Sequence, residues 1–463
     1  MQALSFRWQR FRCFEDTGWV EIKPITILIG PNASGKTSLL APLLLLKQTD
    51  DARDASLSLK TKGNLFNAGA FSDLAFEHES TGSVTLEVKF AGPSALRRKG
   101  KVRKLGDDPP ATVCLEYIRD KLQDSPTLKA FSLKDINDRQ MLRRERQPSG
   151  DYSISGVNLP EDSDGWTKAI RATKPVGFMF SGESVFSRFY ATQSRTKETT
   201  GKKPSKMRSF SIGKAAQHYL SMAVYSSESV ADVCRSTYYV GPLRDRPRRF
   251  YELTGEHPFS VGPGGTYAPE ILYRSQLPGF KKEVNRWISA FDFGTGLQIK
   301  RLAEGVFSVF LKRKPGTPNI NLADTGFGLS QVLPLIVQGF YARKNSLLLA
   351  EQPEIHLNPR LQSRLADLFA AIAKRGVSVF LETHSEHFVL RIRRLLAEKK
   401  LKSEDVALYF CERINGRSTI RRIDIQQDGG ISPSDWPKGF FEDALAESLA
   451  LAQAQYRGPA NAT

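Results

Sequence analysis

Cysteine is scarce and scattered in this chain. Only four occur in 463 residues, Cys13, Cys114, Cys234 and Cys411, and none stands in a Cys-x-x-Cys pair. That argues against a disulfide framework or a zinc site and fits a reducing cytoplasm. Long apolar runs are missing too: none approaches the ~20 residues of a membrane-spanning helix. The opening residues, Met1-Gln2-Ala3-Leu4-Ser5-Phe6-Arg7-Trp8, lack the basic-then-apolar order of a secretory leader. No heptad pattern is sustained, which disfavours a long coiled-coil arm, and no internal repeat is found. Acids are the minority charge, 49 against 67 Lys and Arg, for a formal net charge of +18. The chain reads as soluble and cytoplasmic, with no membrane partner. Its basic excess either solvates loops or attracts nucleic acid or an acidic protein.

That excess is uneven. Arg97-Arg98-Lys99-Gly100-Lys101-Val102-Arg103-Lys104 is one block, and Lys197 to Arg208, with Lys202, Lys203 and Lys206, is a second. Arg244, Arg246, Arg248 and Arg249 form a third. The length calls for two domains or one domain with a large insertion. Residues 1–91 alternate strand-like and helix-like segments, among them the period-two run Val84 to Phe90. Residues 92–236 turn basic, polar and irregular, with short apolar islands such as Val176 to Phe180, and read as an insertion. Within it, 135–150 and 193–207 have the composition of disordered segments. Order returns over 237–430, from the strand Thr237-Tyr238-Tyr239-Val240 onward, and 431–463 is a C-terminal extension.

The most informative stretch is Gly30-Pro31-Asn32-Ala33-Ser34-Gly35-Lys36-Thr37, which fits G-x-x-x-x-G-K-[ST]. The apolar run Ile25 to Ile29 before it reads as a buried strand, and Ser38 to Leu44 after it as the start of a helix. Strand, glycine loop and helix together cradle phosphates on backbone N–H groups and the positive helix end. The candidate nucleotide contacts are Gly30, Asn32, Ser34, Gly35, Lys36, Thr37 and Ser38. Lys36 would reach the β- and γ-phosphates and Thr37 would ligate Mg²⁺, so the cofactors are ATP and Mg²⁺.

Four features of the C-terminal half belong with this loop. Ser346 to Glu351 is an apolar strand ending in a carboxylate, placed to hold Mg²⁺ beside bound phosphates. Gln352-Pro353-Glu354-Ile355-His356-Leu357-Asn358-Pro359 follows it directly. Gly376 to Ser385 is another buried strand, whose tip carries His384 near a γ-phosphate or an attacking water. Gly326, Gly328, Ser330 and Gln331 precede a helix expected over Val332 to Phe340 and, with its N-terminus, make a second anion-binding surface. One phosphate chain rarely needs two such surfaces, so a dimer is expected in which this segment closes over a partner's nucleotide.

The ordered set resembles the ABC-type ATPase heads of the SMC/RecF group and looks closest to ATPases related to the overcoming-lysogenisation-defect nucleases. It covers roughly 1–90 and 237–430. The resemblance implies an α/β fold: a P-loop ATPase head with a mixed sheet and flanking helices, interrupted by a large α+β or helical insertion. On it, Gly30 to Thr37 matches Walker A, and Gly326-Phe327-Gly328-Leu329-Ser330-Gln331 matches the signature. Glu351 matches the Walker B acid, Leu357-Asn358-Pro359 the loop that crosses the dimer, and His384 the switch histidine. Phe71-Ser72-Asp73-Leu74 is similar to the loop that links nucleotide to insertion, and 428–443 is similar to a C-terminal extension of some of these ATPases. The transporter-like members carry a glutamate where this chain has Gln352. An amide orients water but cannot act as a base, so Glu354 is the alternative, and hydrolysis is expected to be slow. The resemblance further implies an ATP-dependent homodimer or higher oligomer. The residues after His384 lack the glutamate and paired aspartates of the nuclease domain. The implied effector, such as a nuclease, is therefore separately encoded, in bacterial antiphage defence. The alternative is an ATPase acting directly on DNA in repair or recombination. A transporter ATPase is disfavoured by the insertion and by Gln352.

Overall fold

Three mostly apolar runs of five or six residues set the architecture, because a strand buried on both faces does not alternate. In the computed structural model, Ile25–Ile29, Ser346–Glu351 and Val377–Glu382 are strands in which every residue is buried. The structure describes residues 4–52, 54, 57–90, 111–120, 124–156, 171, 177–178, 214–432, 434 and 436–437. They divide into two compact bodies: Met1–Ile22, Thr37–Tyr239 and Asn345–Leu347 in the first, and Lys23–Lys36, Val240–Lys344 and Leu348–Thr463 in the second.

The first body is built on an antiparallel sheet of eight strands. Leu4–Phe11 pairs with Phe14–Asp16, with Val20–Ile22 and with Ser83–Phe90. From there the sheet continues through Thr112–Asp120, Ser125–Lys134, Gln140–Arg146 and Tyr152–Gly156. Strands on both sides of the boundary expected near Gly92 thus share one sheet. Along Leu4–Phe11 burial alternates, placing Leu4, Phe6 and Trp8 inward. The Phe6 and Trp8 rings stack with centroids 4.5 Å apart. Trp8 Nε1 donates to Leu39 O at 2.8 Å, which seats the helix Lys36–Asp50 on this sheet.

One expectation is corrected here. Residues 135–150, read as disordered from their polarity, form a turn and the strand Gln140–Arg146. Asp135 Oδ1 accepts from the backbone N–H of Asn137 (2.8 Å) and Arg139 (2.9 Å), an Asx-type turn. The charges that suggested disorder are cross-strand pairs: Glu116 accepts from Lys129 Nζ and Arg143 Nη2, each at 2.9 Å. Arg144 lies over the Tyr152 ring at 3.7 Å. The basic blocks at 97–104 and 197–208, the 193–207 stretch, most of 176–180 and most of 431–463 lie outside the described residues.

In the second body five strands run in the order Ser346–Glu351, Val377–Glu382, Ile25–Ile29, Val406–Ile414, Arg417–Ile423. Ile25–Ile29 is parallel to both of its neighbours, and Arg417–Ile423 is antiparallel to Val406–Ile414. Three carboxyl-terminal strand ends therefore lie side by side, the edge at which α/β sheets bind ligands. The helices Pro359–Lys374 and Glu386–Ala397 pack against each other. Asn358 and Ser385 cap them, accepting from Leu361 N at 3.0 Å and Phe388 N at 3.1 Å. A smaller antiparallel sheet, with Gly296–Ala303 beside Val306–Lys312, leads into the helix Phe327–Tyr341. The turn at Val261–Gly265 docks on that helix. Gly265 has φ +79°, and a side chain there would lie 2.3 Å from Pro334 Cγ. No helix among the described residues is long and apolar enough to cross a membrane.

Candidate functional site

The glycine loop leaves the carboxyl end of Ile25–Ile29 in a conformation few residues tolerate. Gly30 has φ +152°, and a Cβ there would sit 2.1 Å from Cys411 O. Ala33 (φ 59°) and Gly35 (φ 103°) also lie in left-handed space. Such turns make successive N–H groups converge, which is an anion cradle. Lys36 is 4% exposed, and its Nζ donates to Gly30 O at 3.0 Å and Pro31 O at 2.6 Å. Burial lowers the Lys36 pKa, opposed by the carboxylates of Glu382 and Glu354. Beneath the loop, Cys411 Sγ donates to Ser34 O at 3.0 Å. Asn32 is exposed, and Thr37 and Ser38 follow directly in the chain at the first turn of Lys36–Asp50.

Beside this loop stand the other two strand ends. Glu351 closes its strand 4% exposed. Gln352 takes φ 43°, and its N–H donates to Glu382 O at 2.8 Å, tying the two strand ends together. Glu354 Oε1 accepts from His384 N at 2.6 Å, while Oε2 is buried with no hydrogen-bond partner among the described residues. Burial raises the Glu354 carboxyl, opposed by the hydrogen bonds it accepts and by the Arg244 charge. His384, half-buried, has its imidazole lowered by burial and then by the Lys36 charge, so it is neutral at physiological pH. Lys36, Glu354, Glu382 and His384 thus form one electrostatic group.

The Gly326–Gln331 segment is arranged apart from it. Gly326 caps the helix Phe327–Tyr341, and buried Ser330 donates its hydroxyl to Phe327 O at 2.7 Å. Gly328 faces Phe293 and Leu357. The Phe327 ring, 54% exposed, lies 5.8 Å from His356 and 5.2 Å from the Arg246 guanidinium. Among the described residues no hydrogen bond joins 326–331 to 30–36.

Two further residues belong to the site. Cys411 supports the loop, and an unremarkable apolar strand gave no signal for it. Arg244, read as part of a surface cluster, is buried at 7% and donates to Glu351 O at 2.9 Å. Its neighbours Arg246, Arg248 and Arg249 are exposed and line a cavity of about 640 Å³ that reaches Ser330. Arg249 pairs with Asp324 at 2.7 Å.

The donor set fits a magnesium nucleoside triphosphate: left-handed loop positions, a buried lysine, and the buried Ser34 hydroxyl, which has no partner among the described residues. Among the described residues no group of three His, Cys, Asp or Glu side chains could hold a metal alone. Mg²⁺ in such sites takes one or two side chains and completes its shell with phosphates and water.

Comparison with known families agrees with this. Residues 25–145 match the family model "AAA domain, putative AbiEii toxin, Type IV TA system", and residues 273–389 match "AAA ATPase domain". The chain carries AAA-type ATPase domains. The loop lies in the first match, and Gly326, Ser330, Glu351, Glu354 and His384 lie in the second. Residues 401–451 match a protein family of unknown function, DUF3696. No curated protein matches the chain. Among solved structures it is similar to the SMC head domain from Thermotoga maritima, with 13% identity and a TM-score of 0.39, covering 92% of this chain and 100% of that one. It is also similar to the Smc head domain bound to the C-terminal domain of ScpA derived from Pyrococcus furiosus, with 10% identity and a TM-score of 0.42, covering 97% and 99%.

Proposed function

We propose that this protein binds ATP with Mg²⁺, hydrolyses it slowly, and uses the ATP-bound state to join two copies and control a separately encoded effector. The observation that carries the reading is the juxtaposition of buried Lys36 with neutral His384 and Glu354 at one sheet edge. Thr37 and Glu351 would hold Mg²⁺, which offsets phosphate charge when bound. Glu354 accepts a proton from the attacking water, because Gln352 cannot. Two features make hydrolysis slow: an amide at the position next to the metal acid, and a carboxylate two residues on that burial disfavours in its charged form. His384 reports the terminal phosphate as a neutral donor or acceptor.

In the joined state Gly326, Gly328, Ser330 and Gln331 of one copy meet the nucleotide of the other, and the higher affinity of ATP for that state drives the change. The relation to the overcoming-lysogenisation-defect group, and with it a role in antiphage defence, is in keeping with the toxin–antitoxin family named by the match over 25–145. A second reading, an ATPase acting directly on DNA, is favoured by exposed Arg246, Arg248 and Arg249 beside Ser330.

The test is ATP turnover measured beside mass by light scattering, with and without duplex DNA, using Lys36→Ala as control. ATP-dependent doubling of mass with slow, DNA-independent turnover supports the first reading. Turnover raised several-fold by DNA, with steep salt dependence, moves the assignment to the second.

A further inference from the structure

A guanidinium taken out of water must find acceptors, or the fold loses heavily by burying it. Arg244, 7% exposed, finds them at two elements that the sequence keeps far apart. Nη2 donates to Glu351 O at 2.9 Å, and Gln352 O lies 3.5 Å from both terminal nitrogens. Nη1 also reaches Gln331 Oε1 at 3.5 Å. Glu351 and Gln352 end the strand Ser346–Glu351, while Gln331 is in the opening turns of the helix Phe327–Tyr341.

The acceptors matter because of what Gln352 does. Its φ of 43° is unfavourable for a residue with a side chain. It is held on both sides: its N–H is bonded to Glu382 O, and its C=O is approached by Arg244. Glu354 follows two residues later and meets His384 N only while this turn keeps its course. A lysine could not replace the fork, since one ammonium cannot face two carbonyls and an amide in a plane.

We propose that Arg244 is a positioning residue that couples the Gly326–Gln331 helix end to the strand end bearing Glu351, Gln352 and Glu354, so that closure at one is felt as geometry at the other. The proposal rests on the nucleotide-site reading above. It gives that site a mechanical link between the surface that would meet a second copy and the carboxylate that would take the proton.

The experiment uses the full chain with Arg244→Ala, Arg244→Lys, Gln331→Ala and the Arg244→Ala/Gln331→Ala double variant. ATP affinity, kcat across pH and the unfolding midpoint are measured for each. Arg244→Ala is expected to keep ATP affinity within about threefold and to lower kcat about tenfold or more. It also shifts the acid limb of kcat to higher pH, because Glu354, faced by Lys36, His384, Thr383 and Arg244, loses one positive neighbour. Arg244→Lys restores the acid limb but not kcat. The double variant is no worse than Arg244→Ala alone. Wild-type kcat and acid limb in Arg244→Ala overturn the proposal, as does simple additivity of the two substitutions. If the wild type binds ATP no better than Lys36→Ala, the nucleotide reading has failed instead. The unfolding midpoints still decide the link then, with non-additivity supporting it and additivity overturning it.

Discussion

The backbone N–H of His384 is bonded to the carboxylate of Glu354 at 2.6 Å. A residue two positions beyond the end of Val377–Glu382 thereby fixes the acid that follows the end of the neighbouring strand, Ser346–Glu351. The contact orients Oε1 and leaves Oε2, which has no hydrogen-bond partner among the described residues, as the oxygen able to take a proton.

Glu354→Gln is therefore expected to lower ATP turnover by about 10²- to 10⁴-fold, the usual worth of a positioned general base, while ATP affinity is retained. Burial raises the Glu354 carboxyl, so the wild-type acid limb should lie above the ordinary glutamate range and vanish in the variant. Steady-state kinetics across pH measure both. Unchanged kcat in Glu354→Gln would remove Glu354 from the reaction.

The same shift makes a stability prediction of opposite sign. A carboxyl whose folded-state pKa is raised favours folding when protonated, and that contribution is lost as pH rises through the folded value. Glu354→Gln should thus unfold at a higher temperature than wild type at pH 8, with the advantage gone near pH 4. Scanning calorimetry at the two pH values reads it. A lower midpoint at pH 8 would show that the carboxylate stabilises the turn.

Gln352→Glu should raise turnover, on the order of tenfold or more, by placing a carboxylate where this chain has an amide. The backbone there is already set by Glu382 O and Arg244, so the substitution changes the chemistry and leaves the turn intact. Turnover equal to wild type would mean that residue 352 points away from the attacking water.

How much of this was legible depended on whether burial and chemistry agreed. Ile25–Ile29, Ser346–Glu351 and Val377–Glu382 are mostly apolar and buried throughout, so the three site-bearing strands could be read directly. The hairpin through 135–150 could not be, because Glu116, Lys129 and Arg143 stabilise it by pairing across strands that sequence order does not bring together. Arg244 was illegible for a related reason. Four arginines within six positions count alike in composition, and only the fold turns one of them inward. Cys411 acts from a strand almost four hundred residues beyond the loop it supports, through its main chain as much as its thiol.

That support makes Gly30→Ala a severe change. The new Cβ would overlap the Cys411 carbonyl, and neither atom belongs to a flexible side chain that could move aside. A loss of roughly 2–4 kcal/mol in unfolding free energy is expected, together with loss of ATP binding. Denaturant titration beside nucleotide binding checks it. Wild-type stability would mean that the loop rearranges freely.

Ser330 tests the joining of two copies. Its single hydroxyl proton is donated to Phe327 O, so reaching a partner's phosphate requires that bond to be released, at a cost of about 1 kcal/mol. Ser330→Ala removes both the inward bond and the hydroxyl that would turn outward. The folded monomer should lose only about that amount, because carbonyls at the start of a helix accept backbone N–H groups within it, so Phe327 O is not left without a donor. ATP-dependent doubling of mass should weaken about tenfold or more, since a charge-assisted bond to phosphate is worth more than the neutral one it replaces. Light scattering against protein concentration, with ATP present, separates the two effects. A dimer as tight as wild type in Ser330→Ala would place the contact between copies elsewhere on the surface.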